Sequence, residues 1–558
     1  MASSSLVRSL RPRPTPAELF CLVLGGALCL TYAWLLDDAY VYFKYVDNWV
    51  LLGRGLVYNP GEYAEGYTSP AWLLLLSGLR ALGLGYWLVI RASALLGLVV
   101  FWWGCVVIQR LLAAGAAPTL NLPLVLLCTN YAVLSYFSSG TEAPLVQLCA
   151  VAYAFCLLRP ESRAAQVAVG VSPLVRPELG LAWLLAGAWL GWSRRRTPWW
   201  LIASGVLTGG GWLLFRVLYY ADLFPTTFYL KGGANPGQGL RYLHDAFGPY
   251  HLYLWLALGL GASILAARGR WEPRSVSSAR VAMLAIASAV AGYVVWVGGD
   301  ARHYRYLAFS IPLCLLSFGG LAEAALWRAG ASLSPAVASL GAVALAVVTA
   351  AQHPHQLDRH PLPQLTLPER FAPPELSFID GIADAESHRR HRDLVPLSPW
   401  ASGAAIELMP RYEAWRRNGG ADPPARIQGR MLCWLHYEHF DRWSVHGFGL
   451  TDAVLARARG WDQPGERPAH KAALPVLARD IVRTARALGR PPQRGFYREA
   501  VAAGIAPPWM RSNLDTLELL ERKLYGPRSA WESGMLALHV WERIELDDEK
   551  PPRRAPER

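Results

Sequence analysis

The chain has 558 residues, of which 53% are hydrophobic, and its formal net charge is +13. This composition is too apolar for an ordinary soluble protein and too charged for a protein that lies wholly within a membrane. Residues 1–351 are a series of apolar runs broken by short polar turns, whereas residues 352–558 contain no run long enough to span a bilayer. We therefore predict a multi-pass membrane domain over 1–351 and a soluble domain over 352–558.

The positive charge does not indicate nucleic-acid binding. Arginines cluster between the apolar runs, as in Arg194-Arg195-Arg196, and this is typical of loops that stay in the cytoplasm. The sequence contains no basic and aromatic nucleic-acid module, no CxxC pair or Cys/His cluster typical of zinc sites, and neither of the glycine motifs that bind nucleotide phosphates. We predict no nucleic-acid partner, no metal and no cofactor.

The first apolar run extends from about Leu19 to Leu36 and leads directly into Asp37 and Asp38. It is long enough to cross a bilayer, and no small-residue cleavage site follows it, so we interpret it as an uncleaved helix rather than a signal peptide. The two acids then lie at the membrane surface. Because adjacent carboxylates near a low-dielectric boundary resist full ionisation, one of them can act as a general base near neutral pH.

The next segments decide the topology. Residues 39–52 form an amphipathic stretch, and 71–82 are apolar but short for a span, so we expect 71–82 to lie at the interface. If 71–82 does not cross, the later basic loops all fall on the cytoplasmic side, as the positive-inside rule requires. About eleven spans are then predicted, at 19–36, 88–109, 119–137, 143–158, 164–175, 179–193, 199–219, 250–267, 281–297, 307–325 and 333–351.

With the N-terminus in the cytoplasm, five polar clusters and the soluble half fall on the outer face. The clusters are Asp37-Asp38 with Glu65, residues 139–142, residues 176–178, residues 220–249, and residues 298–305. Their convergence predicts a site on the extracytoplasmic surface. Carboxylates suit deprotonation of an acceptor hydroxyl, and lysine and arginine suit a phosphate.

We predict Asp37 and Asp38 as catalytic residues. The predicted substrate-binding residues are Tyr40, Lys44, Glu65, Tyr67, Thr68, Glu142, Arg176, Glu178, Thr226, Lys231, Asp300, Arg302, His303 and Arg305. For the charged residues the competing interpretation is ion pairing among themselves, and for the aromatic residues it is an interfacial belt or core position.

The soluble half begins with a proline-rich linker. Beyond it we expect a mixed α/β domain with helices near 378–392, 451–459 and 470–487. It contains no defensible Ser/His/Asp set, so we expect it to position an acceptor rather than to perform chemistry.

Several short motifs follow one another along the chain. They are Asp37-Asp38-Ala39-Tyr40, Gly55 to Glu62, Glu65 to Pro70, Ser139-Gly140-Thr141-Glu142, Arg176-Pro177-Glu178, Gly298-Gly299-Asp300 with Arg305-Tyr306, Gly449 to Asp452 and Arg467 to Lys471. In this order they resemble the GT-C superfamily of membrane glycosyltransferases. Within it they are similar to the mycobacterial terminal arabinofuranosyltransferases of the AftB type and the related pilin arabinosyltransferases.

The resemblance implies a GT-C-type membrane domain with juxtamembrane helices in a bacterial inner (plasma) membrane, with the active site and the C-terminal domain extracytoplasmic. It implies transfer of a sugar, such as the pentofuranose arabinofuranose, from a polyprenyl-phosphate donor to a cell-envelope glycan or glycoprotein acceptor. Either Asp37 or Asp38 is then the base, and an inverting or a retaining outcome stays open. A lipid-linked sugar transporter and a membrane-anchored glycan-binding protein are the alternative functions.

Overall fold

A computed structural model of the chain is mostly helical. It describes residues 14–31, 36, 38–113, 121–230, 234–248, 250–269, 272–300, 304–321, 324–325, 334–350, 426–430, 442–446, 449, 451–459 and 473–546.

The described residues fall into two compact units. The first unit takes its residues from 14–31, 86–209 and 234–350, and the second takes them from 36–85, 210–230 and 426–546. The second unit therefore combines early and middle parts of the chain with the C-terminal part. The predicted domain boundary at 351 stays a prediction, because 351–425 lie outside the described residues.

The first unit is helical throughout its described part. Its helices are Pro16–Thr31, Tyr86–Leu112, Leu122–Cys128, Tyr131–Phe137, Ala143–Leu158, Arg163–Val175, Leu179–Arg194, Trp199–Gly205, Pro236–Phe247, Leu252–Gly269, Arg274–Trp296, Ser310–Ser317 and Pro335–Ala350, with a 3-10 turn at Arg305–Leu307. Several begin at a side-chain cap. Asn130 accepts hydrogen bonds from the backbone N–H groups of Ala132 and Val133, and Ser162 accepts one from Ala165.

Four helices among the described residues are long and apolar enough to cross a membrane, by length and composition. They are Leu88–Leu112, Trp199–Tyr220, Leu252–Gly269 and Arg274–Trp296. These helices indicate a membrane protein. Five further apolar helices are shorter, so the predicted number of about eleven spans stays a prediction.

Two of the predicted spans are not regular helices. The segment 119–137 is divided at Thr129 and Asn130, because the Asn130 side chain caps the second of two short helices. The segment 199–219 contains a π-helical turn at Val206–Gly210. Gly209, Gly210 and Gly211 are consecutive there, and glycine weakens a regular α-helix.

The second unit has short helices and two small parallel sheets. Its helices are Ala39–Val50, Pro70–Ala81, Gly211–Tyr220, Thr226–Leu230, Ala453–Ala456, Ala473–Ala487, Phe496–Ala502, Pro508–Ser512, Leu514–Leu524 and Ala530–Ala537. Strand Arg426–Arg430 pairs with Arg442–His446, and strand Ala458–Arg459 pairs with Ile544–Glu545.

The sequence located some of these elements and missed others. The helix predicted near 470–487 is present as Ala473–Ala487. The segment 451–459 holds only a one-turn helix followed by a strand, and 378–392 lies outside the described residues.

One hydrophobic core unites the second unit. Ala64, Tyr229 and Leu230 pack with Leu455 and Leu517, among other buried residues of the C-terminal part. This shared burial holds the loop after Gly61 against the C-terminal helices.

Candidate functional site

The structure places the predicted site residues in two groups, one in each unit. Glu142, Arg176, Glu178, Asp300 and Arg305 lie in the first unit, and Asp38, Tyr40, Lys44, Glu65, Tyr67, Thr68 and Thr226 lie in the second. Asp37, Lys231, Arg302 and His303 lie outside the described residues.

The first group is a continuous ionic cluster. The Arg176 guanidinium lies 2.6 Å from a Glu142 carboxylate oxygen and 2.7 Å from one of Glu178. Arg305 lies 3.4 Å from the same Glu142 oxygen and 3.7 Å from Asp300. Residues separated by more than 160 positions are thereby joined.

Helix ends bring this ionic cluster together. Glu142 and Glu178 each directly precede a helix, and Arg176 directly follows one. Acids at helix N-termini are favoured by the helix dipole. The turn before Glu142 has Gly140 at a φ of 74°, a left-handed conformation that a side chain would disfavour.

The electrostatics of the ionic cluster follow from its pairing. Burial opposes ionisation of Glu142, but the nearby Arg305 and Arg176 outweigh burial, and the pKa of Glu142 is lowered. Burial also disfavours the charged form of Arg176, but Glu178 and Glu142 more than offset it, and the pKa of Arg176 is raised. Arg176 additionally lies over the Tyr306 ring, at 4.5 Å from its centroid. Both shifts favour the charged forms of Glu142 and Arg176.

In the second unit, Asp38 directly precedes helix Ala39–Val50. It is half-buried, and its carboxylate does not cap the helix. Tyr40 and Lys44 are one turn apart on that helix and both are buried. The Lys44 ammonium lies 4.2 Å from the centroid of the Tyr58 ring. This part of the site contains an acid, a cation and aromatic surface.

Glu65 is held by several hydrogen bonds. It is buried, both of its oxygens accept hydrogen bonds from Arg216, and Trp212 donates another at 3.1 Å. Burial raises the pKa of Glu65 although Arg216 acts in the opposite direction. Its backbone carbonyl accepts a hydrogen bond from Thr226, and the Tyr67 hydroxyl lies 2.9 Å from that of Tyr220. We conclude that Glu65 is fixed in one orientation.

A second carboxylate pair, Glu62 and Asp452, was not among the predicted site residues. Asn59 donates a hydrogen bond of 2.7 Å to Glu62 and is itself joined to the Ser444 backbone by two more. Burial and then the nearby Asp452 raise the pKa of Glu62 to about 8. Burial raises the pKa of Asp452 to about 6, although its hydrogen bonds from Val454 and Leu455 oppose this. The sequence signal for this pair was weak. Glu62 is the last residue of the motif Gly55 to Glu62, and Asp452 is the last residue of the motif Gly449 to Asp452.

A further charged group was also missed. Asp222 pairs with Arg457 and lies 3.6 Å from the Lys523 ammonium, and the Tyr229 hydroxyl donates to the same carboxylate. Asp222, Arg457 and Lys523 line a small cavity. Tyr63, Glu65 and Thr226 also line it. No local signal marks Lys523, which lies in an ordinary amphipathic helix.

Among the described residues, no group of three histidine, cysteine, aspartate or glutamate side chains is arranged to hold a metal ion. Chemically, the second unit offers carboxylates of differing basicity, aromatic surface and buried cations. Such groups can deprotonate a hydroxyl and stabilise an anionic leaving group.

Two curated relatives are similar to this chain. The terminal beta-(1->2)-arabinofuranosyltransferase of Corynebacterium glutamicum is 28% identical over 51% of this chain and 48% of its own length. The protein of the same name from Mycobacterium tuberculosis is 28% identical over 51% of this chain and 52% of its own length. The chain thus spans about half the length of the curated relatives it matches. No family model and no solved structure matches the chain. The predicted resemblance to terminal arabinofuranosyltransferases is confirmed.

Proposed function

We propose that this membrane protein is a glycosyltransferase that transfers arabinofuranose from a polyprenyl-phosphate donor to a cell-envelope glycan or glycoprotein on the extracytoplasmic face. The observation that carries the proposal is the similarity to two terminal arabinofuranosyltransferases. The four long apolar helices support a lipid-linked donor, because such a donor is itself held in the membrane.

Asp37 or Asp38 is the general base in this proposal. It takes the proton of the acceptor hydroxyl while that oxygen bonds to the anomeric carbon of the sugar and the bond from that carbon to the phosphate oxygen breaks. The electron pair of the broken bond stays on the prenyl phosphate. Base catalysis of this kind contributes about 10²- to 10⁴-fold to the rate. The position of Asp38, half-buried directly before helix Ala39–Val50, supports the assignment.

The other acids and cations orient the reactants. Glu65, fixed by Arg216 and Trp212, orients the acceptor through a carboxylate oxygen. Lys231, Arg302 and Arg305 are the proposed partners of the departing phosphate, since a guanidinium fork and an ammonium both stabilise its developing charge. Glu142 and Asp300 hold Arg305 in place.

The test is transfer by the detergent-purified full chain, supplied with an arabinan oligosaccharide and labelled polyprenyl-phosphate arabinofuranose. A parallel reaction contains a polyprenyl-phosphate hexose. We expect transfer of the pentose, with Asp37→Asn or Asp38→Asn reducing turnover by about 10²-fold or more and leaving the amount of folded protein unchanged.

A matched control is Asp515→Asn, because Asp515 is an exposed aspartate in the first turn of helix Leu514–Leu524. This variant should keep full transfer. Unchanged transfer by both Asp37→Asn and Asp38→Asn would reject the base assignment. Absence of transfer with either donor, together with uptake of the lipid-linked sugar into vesicles, would favour a transporter.

A further inference from the structure

Helix Ala530–Ala537 of the second unit presents an apolar face that none of the described residues covers. Trp531, Met535 and Leu538 follow one another at spacings of four and three residues, so they lie on one side of this helix. Trp531 is 79% exposed and Leu538 is 66% exposed, whereas Leu536 on the other side is buried. A single exposed apolar residue is ordinary, but several large ones together indicate a surface that meets an apolar partner.

A second exposed tryptophan follows the helix, and the charges nearby are compatible with a lipid surface. Trp541, three residues after Leu538, is 74% exposed. Glu532 is the only charged residue of the helix, and it lies 3.6 Å from Arg522 and 3.7 Å from Arg494. Both arginines are exposed. An apolar face that carries tryptophan and has arginines beside it is typical of a segment at a membrane interface.

The helix also lies beside the end of a candidate membrane span. Helices Gly211–Tyr220 and Ala530–Ala537 pack against each other, and Arg528 donates a hydrogen bond of 2.8 Å to the Tyr219 carbonyl. Gly211–Tyr220 is the second half of the candidate span Trp199–Tyr220, which has 22 residues. An α-helix of that length is about 33 Å long, close to the hydrocarbon thickness of about 30 Å. The last turn of the span therefore lies at a membrane surface.

Both of these packed helices carry exposed apolar side chains. On the span they are Leu213, Leu214 and Leu218, and exposed leucines on a membrane span face lipid. Because helix Ala530–Ala537 packs against this half of the span, its own apolar face is at the level of the bilayer surface. A sugar chain is a poorer match for this face, since Met535 and Leu538 have no group that can hydrogen bond to a hydroxyl.

We propose that Trp531, Met535, Leu538 and Trp541 form a membrane-interface anchor that inserts between the lipid headgroups and the upper acyl chains. Tryptophan is enriched at this depth, because its ring is apolar while its indole N–H can reach headgroups and water. Amphipathic helices of this kind enter the bilayer by about 5–10 Å. The anchor lies in the part of the chain predicted to be soluble, and it neither follows from sugar transfer nor depends on it.

The test measures how accessible this surface is in the full chain, reconstituted in lipid nanodiscs. Leu538→Cys and, separately, Met535→Cys carry a small fluorophore in a Cys433→Ser background, and the background protein alone corrects for labelling of other cysteines. The quenchers are iodide in the water and phospholipids with a nitroxide near the headgroup end of the acyl chain. We expect the lipid nitroxide to quench both labels strongly and iodide to quench them weakly. A nitroxide near the end of the acyl chain should quench less, since the anchor is shallow.

The matched control is a label at Asp515→Cys, because Asp515 is an exposed polar residue of the same unit. It should be quenched by iodide and not by the lipid nitroxide. Quenching by iodide alone at positions 535 and 538 would overturn the proposal. Protection from both quenchers would also overturn it, in favour of a protein partner or a second copy of the chain. Protection that appears only after an arabinan oligosaccharide is added would overturn it in favour of a glycan surface.

The two tryptophans provide a second test. In the variant Trp531→Gln with Trp541→Gln, the label at position 538 should gain quenching by iodide and lose quenching by the lipid nitroxide. Trp192→Gln is the control, because Trp192 is an equally exposed tryptophan that does not belong to this surface. If the double variant leaves both quenching values unchanged, the tryptophans do not hold the helix in the bilayer and the proposed anchor is wrong.

Discussion

Glu142 and Glu62 are two buried glutamates, one in each compact unit, and their pKa values are shifted in opposite directions. Glu142 lies beside Arg176 and Arg305, and its pKa is lowered. Glu62 lies near another acid, Asp452, and its pKa is raised to about 8. Both are almost fully inaccessible, so burial alone does not decide the charge of a carboxylate. Two arginines outweigh burial at Glu142, whereas at Glu62 burial and then Asp452 act in the same direction.

The largest effect should come from removing the cation that balances the first glutamate. Arg176→Met leaves Glu142 and Glu178 as poorly compensated buried charges, which costs about 3–5 kcal/mol of stability. Thermal unfolding and recovery of folded protein in detergent measure this cost. In the double variant Arg176→Met with Glu142→Gln, part of the loss should be restored. If the single variant is as stable as the unmodified chain, the pairing does not stabilise the first unit.

A control for that measurement is Glu161→Gln. Glu161 is 61% exposed and lies 3.8 Å from Arg159. An exposed pair contributes about 0–1 kcal/mol, so this variant should unfold near the temperature of the unmodified chain.

The second expected effect is on how the free energy of unfolding of the second unit depends on pH. Because the pKa of Glu62 rises from 4.5 to about 8 on folding, the folded chain holds this proton more tightly than the unfolded chain. Its contribution to stability is fully present below about pH 4.5 and is lost as the pH rises through about 8. Glu62→Gln, which cannot ionise, should be the more stable protein at pH 8.5 and should show a flatter pH profile.

Melting temperatures between pH 5 and pH 9 measure this difference. Glu518→Gln is a useful comparison, because hydrogen bonds from Arg498 lower the pKa of Glu518, so this variant should leave the decline between pH 5 and pH 9 in place. A steeper decline with pH in Glu62→Gln than in the unmodified chain would contradict the assignment.

The smallest effect should follow from the amide that joins Glu62 to the strand at Ser444. Asn59→Leu removes a hydrogen bond to Glu62 and two to the Ser444 backbone. Leaving these buried groups unsatisfied costs about 1–3 kcal/mol. Asn59 favours the ionised form of Glu62, so removing its amide should raise the pKa of Glu62 in the folded chain further. The decline in stability should then continue to a higher pH. Denaturation curves at two pH values separate the cost of the lost hydrogen bonds from the effect of the shifted pKa of Glu62.

Part of the site could be read from the sequence. Polar residues at the ends of apolar runs are few, so Glu142, Arg176, Glu178, Asp300 and Arg305 could be selected one by one, and the structure brings all five together. The competing interpretation of these residues, ion pairing among themselves, is also what the distances show. The roles of Asp37 and Asp38 stay a prediction.

The residues that were missed share a different property. Asp222, Arg457 and Lys523 come from three distant segments and follow no local pattern. In sequence, a charge on an amphipathic helix is ordinarily exposed, and Lys523 looks like such a residue although it is buried.

The sequence by itself determined the apolar helices, their caps and the acids and cations at their ends, because hydrophobic periodicity and capping act over a few residues. It also determined the resemblance that the curated relatives confirm. Only the tertiary structure decided that residues 36–85 share a core with residues 473–546, and which buried charge meets which. The reason is that pKa shifts and ion pairs depend on distances of a few ångströms between segments hundreds of residues apart, and no local pattern encodes those distances.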